Sequence, residues 1–529
     1  MHPFFMSKPR VTLYDTTLRD GTQGTGISFS KLDKIRVAEK LDAFGVHYIE
    51  GGFPGSNPKD AEFFAEAKKR VWKNAKITAF GATRRGKMKV EDDPQVRILL
   101  DAETPAVTIV GKTWPLQVKE VLGVTCEENL AMIADTVAYL KKHGREVLYD
   151  AEHFFDSYKD DPQYSLATLK AAHGAGADLL VLCDTNGGSL PEFIAQATRD
   201  VIAAVGPGTV GIHTHNDAGL GVANALASVG AGATQVQGTI NGYGERVGNC
   251  DLITVAANLE LKLATPVVPD LARLRELSLF VDELANVPHN IRAPYVGSAA
   301  FTHKGGQHVH AVQKLASSYE HVDPVRVGNE RNITISDMSG QSNVIVKAEK
   351  LGFKFSKGAP EVAKILSEVK RLESEGYEFE AAEGSFELLV RRHLGVSKPL
   401  FELEEYHCSF RRAGEGRWNK CEATVKLRVN GTPEYTVAEG DGPVNALDAA
   451  LRKALRPFFP AIDEVQLDDY KVRIINGQLG TAARTRVLID STDGQTRWGT
   501  VGVSDNIIEA SWLALVDSFE FKLGREARK

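Results

Sequence analysis

At 529 residues and 57.6 kDa, with 43% hydrophobic and 25% charged residues, the chain has an ordinary globular composition and exceeds what one hydrophobic core usually organises. A net charge of -6 offers no general attraction to nucleic acid or to an anionic membrane, so neither is expected as a partner. The five cysteines (Cys126, Cys183, Cys250, Cys408, Cys421) show no C-x-x-C spacing, which argues against a disulfide framework and against a structural zinc site.

The opening MHPFFMSKPR carries no long apolar stretch, and no segment approaches the roughly 18 to 20 apolar residues of a membrane span. A reducing, cytoplasmic setting is the expectation. From residue 11 to about 262, short β-rich runs alternate with longer helical patterns such as KLDKIRVAEKLDAFG. The runs are VTLYDTT, VHYIEGG, KITAFGA, AVTIVGK, EVLYDAE, DLLVLCD, TVGIHTH and TQVQGTI. Eight βα repeats predict a closed (β/α)8 barrel, with an open doubly wound sheet as the competitor. Polar residues decide between them: Asp15, Arg19, Asp20, Glu50, Glu152, Asp184, Thr185, His213, His215 and Asn249 all fall at or just beyond the carboxyl ends of runs. In a barrel those ends share one rim, where catalytic residues sit.

Residues from about 270 to 400 read as mostly helical, interrupted by the Gly- and His-rich FTHKGGQHVHAV. From about 403 onward there is an internal repeat: NALDAALRKAL from Asn445 matches NIIEASWLALV from Asn506. Each copy follows a hairpin pattern, VKLRVNGTPEYTV or RVLIDSTDGQTRWGTVGV. A duplicated strand-strand-helix unit predicts a compact α+β module whose two small sheets pack through their apolar helix faces. The division expected is a barrel over 8–270, helical linker subdomains over 271–402 and this module over 403–525.

His-x-His on a strand puts both imidazoles of His213 and His215 on one face, within reach of one cation. With the carboxylate of Asp20 they make a ligand set that leaves positions open for substrate oxygens, so a divalent ion acting on a small carbonyl is expected. Mn²⁺, Mg²⁺ and Zn²⁺ all accept such ligands. The plainer alternative is that these are loop and strand-end hydrogen-bonding groups. Arg19 would stabilise the alkoxide or enolate formed at the carbonyl, against the alternative of a structural ion pair. Glu50, Glu152 and Thr185 would contact substrate or else cap a helix or join a network at the barrel mouth. His303, His308 and His310 lie in a stretch able to close as a lid and carry a base, or simply face solvent. Cys183 and Cys250 flank site positions, with buried structural thiols as the expectation. GDGPVN lacks the Lys and Ser/Thr of a phosphate loop, and no G-x-S-x-G elbow of a serine hydrolase is present.

DTTLRDG, GIHTHND and GYGERVGN resemble the signatures of the metal-dependent acyl-CoA aldol synthases, the family of isopropylmalate, homocitrate and citramalate synthases. The similarity runs over essentially the whole chain, including GDGPVNALDAALRKAL and GTVGVSDNIIEASWLALVDS. DGTQGTGISFS, AEHFFDSYK and FTHKGGQHVHAV look most like the citramalate branch. The resemblance implies a TIM-barrel catalytic domain, helical linker subdomains and a C-terminal regulatory domain in a homodimer. It implies that Asp20, His213, His215 and Asn249 are metal ligands and that Arg19 steadies the reacting carbonyl oxygen. Glu152 and Thr185 would touch substrate, and His308, with Tyr319 nearby, would serve in proton abstraction from acetyl-CoA. Pyruvate and acetyl-CoA are the implied substrates and isoleucine the implied feedback inhibitor. The alternatives are the same condensation with 2-oxoisovalerate, giving 2-isopropylmalate, or a non-catalytic metabolite-binding protein. DGTQ in place of DGEQ and Asp150 at a position where relatives carry other residues set this chain apart.

Overall fold

A computed structural model describes residues 11–526 apart from 57, 357 and 412–419; the opening decapeptide lies outside the described residues. By compactness the chain forms two units, one reaching to Phe301 and including Val322–Glu330, the other made of Thr302–His321 and Arg331 onward.

In the first unit eight parallel strands close into a barrel in chain order. They are β1 (Thr12–Asp15), β2 (Tyr48–Gly52), β3 (Lys76–Ala82), β4 (Ala106–Lys112), β5 (Glu146–Glu152), β6 (Leu179–Asp184), β7 (Val210–Thr214) and β8 (Gln235–Gly238). Closure comes from β1 against β8, with Thr12 opposite Gln235 and Asp15 opposite Gly238. The strands are almost wholly buried, as a parallel sheet covered by helices requires. The helices are α1 (Lys31–Phe44), α2 (Pro58–Ala67), α3 (Pro94–Asp101), α4 (Cys126–Lys142), α5 (Pro162–Gly174), α6 (Pro191–Val205), α7 (Gly221–Ala231) and α8 (Leu252–Leu261).

Local chemistry fixes their ends. Ser30 and Asp33 form a reciprocal capping box on α1, which stops at Gly45 in the left-handed region (φ 102°). Thr125 caps α4, while Asp93 and Asp161 cap α3 and α5, each followed by proline in the first turn. The α1 face that buries Ile35, Val37, Ala38 and Leu41 joins one core with Leu13, Ile49, Ile77, Ile109 and Val147 from the strands. A further helix, α9 (Leu274–Ala285), follows the barrel and adds Leu274, Leu277 and Val281 to that core.

The second unit contains helices α10 (Gly306–Lys314), α11 (Gln341–Lys350), α12 (Pro360–Ser374) and α13 (Glu383–His393), then the repeated module. Each copy has three antiparallel strands and a helix: β9 (Glu402–Arg411), β10 (Lys420–Val429), β11 (Thr432–Gly440) and α14 (Pro443–Leu455); then β12 (Gln466–Ile474), β13 (Thr485–Thr492), β14 (Arg497–Ser504) and α15 (Ile507–Glu526). The sequence patterns revealed two strands per copy. The additional first strands, ELEEYHCSFR and QLDDYKVRI, are mostly exposed along their length and so lack a clean apolar alternation. On β10 the alternation is plain: Cys421, Ala423, Val425, Leu427 and Val429 pack under Leu447, Leu451 and Leu455 of α14. Among the described residues no helix is long and apolar enough to cross a membrane, and all five cysteines are free thiols.

Candidate active site

The carboxyl ends of the strands converge on a cavity of about 280 Å³ lined by Arg19, Asp20, Glu152, Thr185, His213 and His215, together with Phe80, Val110, Asp150, Cys183 and Arg246. Strand alternation turns Asp150 and Glu152 to the same side of β5, and His213 faces the same interior from β7. His215 lies just past β7 and forms an isolated bridge with Asn249 in the loop beyond β8. That bridge brings the His-x-His and GYGERVGN motifs together. The turn needs its glycines: at Gly248 (φ 100°) a Cβ would meet the Gly242 carbonyl at 1.9 Å.

Asp20, His213 and His215 are buried and offer three ligand atoms within 4.8 Å of one another. Asp20 Oδ2 lies 3.3 Å from His213 Nε2 and 3.7 Å from His215 Nε2. Burial opposes the Asp20 charge, yet the Arg19 guanidinium and the two imidazoles hold its carboxyl well below the usual carboxylate range. Burial likewise works against a charged His213, and Asp20 outweighs it, raising that imidazole. Asn249 is 2% exposed and donates from Nδ2 to the Tyr243 carbonyl, while its buried Oδ1 has no hydrogen-bond partner. An orphaned acceptor of that kind costs about 1–3 kcal/mol unless another group satisfies it. A carboxylate and two imidazoles this close suit a divalent cation, and the backbone bridge to His215 sets Asn249 beside them.

Arg19 is held on three sides. Its Nε donates to Glu50 Oε1 at 2.5 Å, its Nη1 lies 3.0 Å from Asp20 Oδ1, and its guanidinium sits 3.8 Å over the Phe80 ring. Glu50, expected at the cavity, is instead fully buried beneath Arg19, where it also accepts from Tyr14 and, at 2.5 Å, from Thr16. It braces the arginine and does not line the cavity wall. Glu152 does line it, paired with Lys112 at 2.5 Å. Thr185 lines it as well, its Oγ1 accepting the His153 N–H at 2.8 Å.

Sequence reading passed over two groups. Arg246 donates to Asp217 at 2.7 and 2.9 Å and to the Thr185 carbonyl at 2.8 Å, and its Nη2 lies 2.7 Å from His215 Nδ1. That last contact places the His215 proton on Nε2, so ligation through Nε2 requires the guanidinium to withdraw to its other partners. The signal was the charged pair inside GYGERVGN. The other is Gln237, fully buried beside His213 in a strand, Gln235–Gly238, that carries a second buried amide, Gln235.

His308 and Tyr319 belong to the second unit, where their rings stack with centroids 4.3 Å apart. His303 is tied to Glu320 at 3.0 Å, and Glu320 also binds Arg331 at 2.6 Å. Cys183 and Cys250 are buried thiols, each raised above the ordinary thiol range by burial, which keeps them protonated.

Residues 10–281 match the HMGL-like family, 295–377 the homocitrate synthase post-HMGL domain-like family and 380–523 the LeuA allosteric (dimerisation) domain. The chain is 54% identical over 519 residues to (R)-citramalate synthase of Aquifex aeolicus, covering 98% of each protein. It is 51% identical to (R)-citramalate synthase of Geobacter sulfurreducens, covering 97% of each. With 2-isopropylmalate synthase of Methanocaldococcus jannaschii the identity is 30%, covering 98% of this chain and 96% of that one. A barrel presenting an acid, two histidines and a braced arginine at one rim, in a chain that aligns from end to end with these proteins, belongs to the (R)-citramalate synthase family of HMGL-like proteins.

Proposed function

We propose that this chain condenses acetyl-CoA with pyruvate and hydrolyses the product thioester, giving (R)-citramalate and free CoA. The observation that carries this reading is the Asp20, His213 and His215 cluster beside the braced Arg19. The identity to proteins named (R)-citramalate synthase, higher than to the 2-isopropylmalate synthase, supports pyruvate over a larger 2-oxo acid. A proton leaves the acetyl methyl group, that carbon bonds to the ketone carbon of pyruvate, and the ketone oxygen takes a proton. Water then splits the thioester and the CoA thiol departs.

Asp20, His213, His215 and Asn249 would hold a divalent cation (Mg²⁺, Mn²⁺ or Zn²⁺), which when bound supplies Lewis acidity for the ketone. Arg19, kept charged and fixed by Glu50 and Phe80, faces the oxygen on which negative charge develops. Glu152 and Thr185 orient the 2-oxo acid, and Phe80 and Val110 furnish apolar wall for its methyl group. His308, stacked on Tyr319, removes the methyl proton with Glu152 assisting. Glu50 is assigned to bracing Arg19.

The domain division that goes with this function is a catalytic barrel over 8–270, a linker over 271–402 and a regulatory module over 403–525, in a cytoplasmic homodimer. Isoleucine binds the module as end-product inhibitor. A cavity of about 270 Å³ between the two repeats, with Leu467, Leu515 and Phe519 as apolar wall and Asp448 and Arg452 as charged groups, supports this. If saturating isoleucine leaves the rate unchanged, the regulatory assignment fails. The catalytic assignment is tested by chiral chromatography of the product from acetyl-CoA and pyruvate: (R)-citramalate is expected, and 2-isopropylmalate formed only from 2-oxoisovalerate would overturn it.

A further inference from the structure

We infer that Gln237, aimed by Asp150, is the positioning residue that fixes His213 in the tautomer able to bind a cation. The inference rests on His213 being a metal ligand. Three interior residues from three strands make a one-way chain across the barrel. Asp150 Oδ1 accepts Gln237 Nε2 at 3.0 Å, and Gln237 Oε1 lies 2.9 Å from His213 Nδ1. His213 and Gln237 are register partners on β7 and β8, which holds the two side chains abreast.

The direction of the chain follows from donor and acceptor capacity. The amide turns its NH₂ group to Asp150 Oδ1, the orientation an ionised carboxylate requires; burial raises this carboxyl to about 7, while His213 and Arg19 favour its charged form. That leaves the amide oxygen toward His213, where it can only accept, so the proton must sit on Nδ1. Nε2, 3.3 Å from Asp20, is then the nitrogen whose proton a cation would displace, while Nδ1 keeps its own. Reversing the amide would set its NH₂ against Nδ1, leave the neutral ring's proton on Nε2 and remove that nitrogen as a ligand. Gln237 is fully buried, so water does not substitute for its contact with His213. Partners of this kind fix ring orientation at metal sites, and their loss commonly costs about 10- to 100-fold in metal affinity.

The test is Mn²⁺ binding to the full chain without substrate, followed by electron paramagnetic resonance of the free ion, so that any contact of Asp150 with substrate plays no part. Gln237→Leu, which removes the acceptor, should weaken Mn²⁺ binding by about 10- to 100-fold. The swap Asp150→Asn with Gln237→Glu keeps volume and net charge and preserves an acceptor toward His213, so its affinity should stay near wild type. Wild-type affinity in Gln237→Leu, or an affinity lost in a swap variant whose circular dichroism is native, would overturn the inference. His213→Ala separates the two levels: if it binds Mn²⁺ as wild type does, the ligand assignment fails as well, whereas loss in His213→Ala with none in Gln237→Leu overturns the positioning role alone.

Discussion

Glu50→Gln separates bracing from substrate contact. The Glu50 carboxylate receives three donors, from Arg19, Thr16 and Tyr14, in a fully buried position. In an amide of the same shape the oxygen can keep Arg19 and Thr16 while the NH₂ donates to the Tyr14 hydroxyl, so what is lost is the carboxylate charge opposite the guanidinium. Losing a charge-assisted hydrogen bond costs about 1.5–3 kcal/mol, and breaking a buried ion pair by removing one partner costs about 3–5 kcal/mol. Asp20 still pairs with Arg19, so the lower part of that range applies, about 3 kcal/mol against a typical total stability of about 5–15 kcal/mol. The freed guanidinium should cost turnover up to what removal of a transition-state donor costs, about 10²- to 10³-fold in kcat. Because Glu50 lies behind Arg19, KM for the 2-oxo acid should move much less than kcat. The assays are urea unfolding of the barrel and steady-state CoA release. A raised KM with kcat unchanged would mean that Glu50 touches substrate, and unchanged stability with unchanged kcat would refute the bracing argument altogether.

Asp20→Ala should abolish turnover while circular dichroism remains native; wild-type turnover would sink the ligand assignment. Gly248→Ala should shift the turn carrying Asn249, because the added Cβ would meet a carbonyl oxygen at 1.9 Å, and Mn²⁺ affinity should fall; unchanged affinity would dissociate that loop from the cation. Burial raises the Asp15 carboxyl to about 7, against the bonds it accepts from Thr17, while the unfolded chain keeps an ordinary value near 3.8. The folded state therefore binds the extra proton, and wild type loses stability relative to Asp15→Asn as pH rises from about 4 to 7. The Tm difference, variant minus wild type, should grow across that window; a constant difference contradicts the assignment.

Much of the barrel was legible because buried parallel strands read as largely apolar runs, and because a set of polar residues recurred at their carboxyl ends. The association of Asp20 with His213 and His215 followed from the same logic, since a shared rim brings distant motifs together. At Glu50 that reading left substrate contact and a place in a network both open: a strand-end carboxylate can point to the cavity or lie beneath it, and the three donors around it show the network. Gln237 was invisible for a related reason. Two amides alternate in TQVQGTI, Gln235 and Gln237, and nothing in the run distinguishes the one that Asp150 and His213 engage. The first strands of the C-terminal copies escaped because ELEEYHCSFR and QLDDYKVRI are mostly exposed along their length, so no alternation marks them. Residues whose role is set by their own strand were readable, whereas those whose role is set by a partner on another strand were not.

The central claim is tested most directly by thiol release from acetyl-CoA in the presence of Mn²⁺ or Mg²⁺, comparing kcat/KM for pyruvate, 2-oxobutyrate, 2-oxoisovalerate and 2-oxoglutarate. One methylene in a pocket is worth about 1–3 kcal/mol, so pyruvate should lead 2-oxobutyrate by about 10-fold or more and the branched acid by a wider margin. A higher kcat/KM for 2-oxoisovalerate, or no thiol released with any of the four acids, would contradict the account.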